Sequence, residues 1–210
     1  MNLAEHVLQA GLAHPDRLAL SVLGLGRADR WSHARLRRAV LGTATGLLQA
    51  GIGPGDRLLM RLGNTPAFPV TYLGAIAAGI VPVPTSAMLT AAETTRLARS
   101  VRPAAIVADP GVPLPDHPAP VIDDRRLAGF ADLPPADFAQ GSPDRLAYIV
   151  FTSGTSGQPR AVCHAHRAIL ARQMMFQGWY GLTPQDRLLH AGAFNWTFTP
   201  VSYTHLTLPT

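Results

Sequence analysis

The sequence predicts an α/β fold with helices packed on a mostly parallel sheet. Short apolar runs recur along it: RLLMRL (57–62), IVPVP (80–84), AAIVAD (104–109) and LAYIVFT (146–152). The stretches between them are long enough to hold a helix and carry helix-start and helix-stop residues, the pattern of strands joined by helical crossovers. The 210 residues are 47% hydrophobic and 15% charged, a globular balance that supports one good core.

Each element has its own signal. Asn2 and Glu5 form a capping pair for a helix running to about Ala13. Ser32 caps a second helix with Leu36, Val40 and Leu47 on one face, and Gly51 closes it. RLLMRL follows as a strand. Thr65 and Pro66 read as a cap with proline at the first helical position. That helix runs to Gly79 through Gly74, Ala75, Ala77 and Ala78, small enough for close packing. IVPVP is a short strand. Thr90 and Glu93 make a capping box for a helix that ends before Pro103, and AAIVAD is the next strand. Residues 110–143 hold eight prolines and read as a surface excursion with one short strand, PVID (120–123). LAYIVFT is a buried strand, AVCH (161–164) pairs back on it, a helix covers about Arg167 to Tyr180, and RLLHA (187–191) is the next strand. Residues 51–59 and 181–189 match at six of nine positions, and shared loop grammar explains this more simply than duplication.

Composition narrows the function. No apolar run approaches the ~20 residues that span a bilayer. The opening MNLAEHVLQA lacks a basic stretch leading into an apolar one, so no secretory leader is expected. With Cys163 as the only cysteine, an internal disulfide is impossible and the cytoplasm is the expected compartment. The net charge is +5 and all 18 basic residues are arginine. Arg35, Arg37 and Arg38 cluster, as do Arg96, Arg99 and Arg102. No aromatic residues interleave, so solvated helix faces are expected rather than a nucleic-acid surface.

The most informative run is FTSGTSGQPR, 151–160. Three hydroxyl side chains (Ser153, Thr155, Ser156) and two glycines (Gly154, Gly157) follow directly on the LAYIVFT strand. Glycine lets backbone N–H groups approach a phosphate, and hydroxyls add donors, so this is an anion cradle. Its spacing is neither that of a Walker loop nor G-x-G-x-x-G. The alternative is a Gly/Ser hairpin turn without a ligand.

This loop resembles T-S-G-[ST]-[TS]-G-x-P-K-G, the phosphate loop of the adenylate-forming superfamily of acyl- and aryl-CoA ligases, luciferases and peptide-synthetase adenylation domains. GPGDRLL with Asn64 is similar to that family's G-D-x-V…N segment. YLGAIAAGIVPVP (72–84) is similar to its A-x-x-x-G-x-x-x-V-P unit, and WSHARL (31–36) to its [FW]-[ST]-Y-x-E-L. The resemblance covers residues 1–199. NLAEHVL and HAGAFNWTF are most similar to benzoate- or aminobenzoate-type acyl-CoA ligases. Arg160 stands where the family has lysine, and Ala161 where it has glycine.

The resemblance implies the N-terminal portion of the large adenylate-forming domain. It implies ATP, Mg2+ and CoA, with a small carboxylic acid as the other substrate. Thr152, Ser153, Gly154, Thr155, Ser156 and Gly157 would wrap the β- and γ-phosphates, and Arg160 would supply charge in the lysine's place. Phe194, Asn195 and Trp196 lie where the acid-binding segment begins, although Phe194 and Trp196 also suit plain core positions. Phe176, Trp179 and Tyr180 are assigned to the core. Cys163, His164 and His166 lack the ligand count of a zinc site. His166 is expected to cap or pack at a helix start, and Cys163 has no base to activate it.

The family also uses a glutamate in Y-G-x-[ST]-E for magnesium, a ribose-binding aspartate and a C-terminal lysine. The only glutamates are Glu5 and Glu93, and there is no lysine. The expectation is an inactive fragment of a longer ligase, with no catalytic and no metal-binding residue of its own. Peptide-synthetase adenylation, a non-catalytic nucleotide binder and a plain interaction domain are the other readings. The last residues, VSYTHLTLPT, resemble translated sequencing-adapter read-through, so 200–210 are expected to be a non-native tail.

Overall fold

A computed structural model describes residues 1–152, 159–183, 186–189 and 192–194. At its centre is a four-stranded parallel sheet in the order β4-β3-β5-β6. Its strands are β3 (Arg57–Arg61), β4 (Val81–Pro84), β5 (Ala105–Ala108) and β6 (Val121–Asp123). The crossovers β3-α3-β4 and β4-α4-β5 use α3 (Ala67–Ala77) and α4 (Ala91–Val101). Two antiparallel hairpins flank this unit. One is β1 (Leu18–Gly24) with β2 (Arg27–Ser32), the other β7 (Leu146–Thr152) with β8 (Arg160–Ala165). The remaining helices are α1 (Leu3–Gln9), α2 (His33–Gln49), α5 (Asp124–Phe130) and α6 (Ala168–Gly178).

Strand side chains alternate between two cores. Leu58 and Met60 of β3 and Val107 of β5 join a cluster with Val40, Leu47, Phe68, Tyr72 and Ile76 of α2 and α3. Leu59, Val83 and Ile106 join the second cluster with Ala98 and Val101 of α4. The sheet is thus covered on both faces, which explains strands that read as continuous apolar runs. Each buried leucine contributes about 1.5–3 kcal/mol. Strand β7 spans both clusters, Tyr148 and Val150 in one and Ile149 in the other.

The capping signals mostly hold. Ser32 Oγ accepts from Arg35 N, and Thr90 and Glu93 form the full reciprocal box. Asn2 Oδ1 accepts from Ala4 N and Glu5 N, while its Nδ2 donates to the carbonyls of Ile76, Ala77 and Ala139. The buried Asn2 therefore joins α1 to the end of α3. Glu5 does not reciprocate; its carboxylate accepts from Gln140 Nε2.

Several expectations are corrected. Helix α1 ends at Gln9, short of Ala13. Thr65 gives no side-chain cap, because α3 enters through Pro66. Residues 18–32 form a hairpin that the polar β2 hides, and α5 sits inside the proline-rich stretch, capped by Asp123. Trp179 is 78% exposed rather than core, whereas Phe176 is buried. Arg187, Leu188 and Leu189 form no strand.

Candidate active site

The phosphate-loop candidates stand on the β7–β8 hairpin. Thr152 ends β7, Arg160 begins β8, and the two are register partners. Directly opposed residues of an antiparallel ladder share a face, so both side chains leave the hairpin on one side. Thr152 is half-buried and Arg160 exposed. Ser153, Gly154, Thr155, Ser156 and Gly157 lie outside the described residues, between these two ends. The ladder holds because Tyr148 and Val150 are buried in the main core and the β7 backbone is paired from Leu146 onward.

From the β7–β8 hairpin to α3 and Phe194 runs a row of rings. Tyr148 stacks on His164 of β8 with centroids 4.5 Å apart and planes 10° apart. Tyr148 also meets Tyr72 of α3 at 5.7 Å, Tyr72 lies 6.4 Å from Phe68, and Phe68 lies 5.8 Å from Phe194. Arg172 Nη2 donates to the Tyr148 hydroxyl at 3.1 Å. Burial raises the pKa of both tyrosines; Arg172 pulls Tyr148 partly back. Burial, then the Arg172 charge, lowers His164, which favours the neutral form of the stacked imidazole. Among the described residues the buried Tyr72 hydroxyl has no hydrogen-bond partner.

Phe194 is half-buried and packs against the main core. Its backbone N–H donates to Asn64 Oδ1 at 2.9 Å, and Asn64 Nδ2 donates to the Gly192 carbonyl at 3.2 Å. Asn195 and Trp196 lie outside the described residues. Phe194 and the Tyr148–His164 pair of the β7–β8 hairpin thus stand at opposite ends of the same ring row. The sequence reading matched Asn64 to the family's G-D-x-V…N segment but gave it no role. Its place just past the end of a parallel strand was the available signal, because ligand sites gather at that edge.

His166 is 1% exposed, and its Nδ1 accepts from Leu3 N at 3.0 Å. It packs at the start of α6, as expected. Burial first, then the charges of Arg145 and the N-terminal ammonium, lowers its pKa to about 4. Cys163 is exposed and its thiol free. Among the described residues no three His, Cys, Asp or Glu side chains gather as metal ligands. Glu5 is engaged by Gln140 and Glu93 by its own helix cap. Neither glutamate is therefore free to ligate magnesium. No described helix is long and apolar enough to cross a membrane.

The chain resembles known proteins along nearly its whole length. The family described as "AMP-binding enzyme" matches residues 8–208. A 3-hydroxybenzoate–CoA ligase from Aromatoleum sp. (strain CIB) is 27% identical over 209 residues, covering 90% of this chain and 39% of the ligase. Nonribosomal peptide synthetase 2 from Cochliobolus heterostrophus is 28% identical over 187 residues, covering 88% of this chain and 4% of the synthetase. The crystal structure of a benzoate CoA ligase from Burkholderia xenovorans LB400 superposes with a TM-score of 0.82 at 20% identity, over 96% of this chain and 44% of the other. The chain therefore spans less than half the length of each of these relatives. With a family match over nearly its whole length and the fold to go with it, the chain belongs to the AMP-binding enzyme family.

Proposed function

We propose that these residues form the N-terminal part of an ATP-dependent acyl- or aryl-CoA ligase. The observation that carries this is the Ser/Thr/Gly run 153–157, held between the paired ends Thr152 and Arg160 inside a chain that matches the AMP-binding enzyme family. In the proposed reaction a carboxylate oxygen attacks the α-phosphorus of ATP and pyrophosphate leaves. The thiol of CoA then displaces AMP to give a thioester. Negative charge builds on the phosphate oxygens in the first step. Thr152 to Gly157 would meet it with N–H and hydroxyl donors, and Arg160 with a fixed cation able to fork across two oxygens. Phe194, Asn195 and Trp196 would begin the acid pocket, with Phe68 behind Phe194.

Magnesium and the adenylation lysine would come from residues other than those described, so the 210-residue chain alone is expected to turn over no acid. A single free, exposed Cys163 suits a reducing cytoplasm.

Acid-dependent ATP–pyrophosphate exchange tests the reading in the ligase that carries this segment. Exchange driven by benzoate or hydroxybenzoate is expected. Exchange driven by amino acids alone would favour a peptide-synthetase module, the reading that the Cochliobolus relative supports. No exchange with any carboxylic acid would overturn both.

A further inference from the structure

Asn64 occupies an unusual position. It follows β3 by three residues and precedes α3 by three. The turn that carries it is fixed from behind. Asp109, just past β5, accepts from Gly63 N through Oδ2 at 2.7 Å, and its own N–H donates to the Arg61 carbonyl at 3.1 Å. Arg61 is fully buried, and its guanidinium donates to the carbonyls of Ser86, Leu89 and Pro113. The loops at the C-terminal edge of the parallel sheet are thus tied together, and Asn64 projects from a rigid turn.

From there its carboxamide makes two bonds to one short segment. Oδ1 accepts from Phe194 N and Nδ2 donates to the Gly192 carbonyl, at 2.9 and 3.2 Å. An amide that accepts from residue i and donates to the carbonyl of residue i−2 reproduces what one residue of a neighbouring parallel strand does with its own N–H and C=O. The side chain of Asn64 gives residues 192–194 that pairing. One helical turn on, Phe68 meets the Phe194 ring at 5.8 Å with planes 52° apart, a favourable tilted aromatic pair. Backbone and ring of Phe194 are therefore both held from residues 64–68.

We propose that Asn64 is a positioning residue of the acid pocket. By standing in for a residue of a neighbouring parallel strand it fixes residues 192–194, so that the Phe194 ring, backed by Phe68, forms a set wall against which a planar aromatic carboxylic acid lies. This rests on the ligase reading above, in which Phe194 opens the acid-binding segment. A wall held by two hydrogen bonds costs the acid less ordering on binding than one it must organise itself.

The test uses Asn64→Ala with two readouts. In the chain itself, exchange of the Phe194 amide hydrogen is expected to quicken by about five- to tenfold, the loss of one hydrogen bond. Asn64→Asp keeps the acceptor for Phe194 N and should retain most of that protection. In the ligase, KM for benzoate in pyrophosphate exchange is expected to rise about tenfold, with KM for ATP unchanged and kcat within about twofold. Unchanged Phe194 exchange in Asn64→Ala would overturn the inference and leave the ligase reading standing. So would an unchanged benzoate KM, or a parallel rise in the KM for ATP. Absence of any acid-driven exchange in the wild type would instead overturn the ligase reading.

Discussion

Residues 51–59 and 181–189 share six of nine residues and repeat the same hydrogen bonds at their described positions, yet among the described residues only the first continues as a strand. In both, glycine sits at positive φ, +85° at Gly51 and +61° at Gly181. In both, an aspartate five residues on accepts from a backbone N–H three residues before it: Gly53 N to Asp56 at 2.8 Å, Thr183 N to Asp186 at 2.6 Å. The residue after each glycine donates back to the preceding helix, Ile52 N to the Leu47 carbonyl and Leu182 N to the Phe176 carbonyl. The two copies part where tertiary partners begin. Leu58 and Leu59 are fully buried between β4 and β5; Leu188 and Leu189 are 42% and 77% exposed and belong to no strand. The turn is written locally, and the strand is decided by its neighbours.

The sharpest way to break that contrast is truncation of the equivalent leucines. Leu58→Ala or Leu59→Ala is expected to cost about 2–5 kcal/mol in urea unfolding, as for cavity-forming core changes. Leu188→Ala or Leu189→Ala should stay within about 0.5 kcal/mol. Equal losses in the two copies would contradict the account.

Acid should separate the copies next. The second hangs on α6, whose start is anchored by neutral His166 accepting from Leu3 N. Because folding lowers this histidine from 6.5 to about 4, the unfolded chain binds the extra proton first. The stabilisation is therefore intact above 6.5, declines as pH falls toward 4 and is spent below that. It amounts to about 3 kcal/mol at most. A His166→Gln variant should flatten this part of the pH–stability curve. An unaltered slope between pH 6.5 and 4 would refute the assignment.

A smaller effect is expected from the turn glycines. Gly51→Ala places a Cβ at positive φ and should lower global stability by about 1 kcal/mol. Gly181→Ala carries the same local strain, but its copy shares no strand with the core, so its unfolding midpoint should move less. The smallest effect is spectroscopic. The Thr183 backbone N–H, then its hydroxyl, holds the Asp186 carboxyl below the ordinary aspartate range. An NMR titration of Asp186 should show this, and Thr183→Ala should reverse only the hydroxyl's part.

What was legible in the sequence follows the same division. The parallel strands and their caps could be read because Leu58, Val83 and Ile106 announce burial and Ser32 and Thr90 announce helix starts. The β1–β2 hairpin was missed because β2, RADRWS, is largely solvent-facing and polar. Helix α5 was missed because only Leu127 and Phe130 of its seven residues are buried, among prolines on either side. RLLHA read as a strand because its first three residues repeat those of β3, and nothing local records the missing neighbours. Of the candidate site residues, Thr152, Arg160 and Phe194 stand at motif positions, and so does Asn64. What motif position does not give is the contact of Asn64 with a segment about 130 positions away.

The central claim is that residues 152–160 cradle the phosphates of ATP. Its most direct test is the KM for ATP in acid-driven pyrophosphate exchange, measured in the ligase carrying Ser153→Ala with Thr155→Ala. Loss of two hydroxyl donors to a charged group predicts a rise of about tenfold or more in KM for ATP, with the KM for the acid unchanged. An unchanged ATP KM together with unchanged turnover would contradict it.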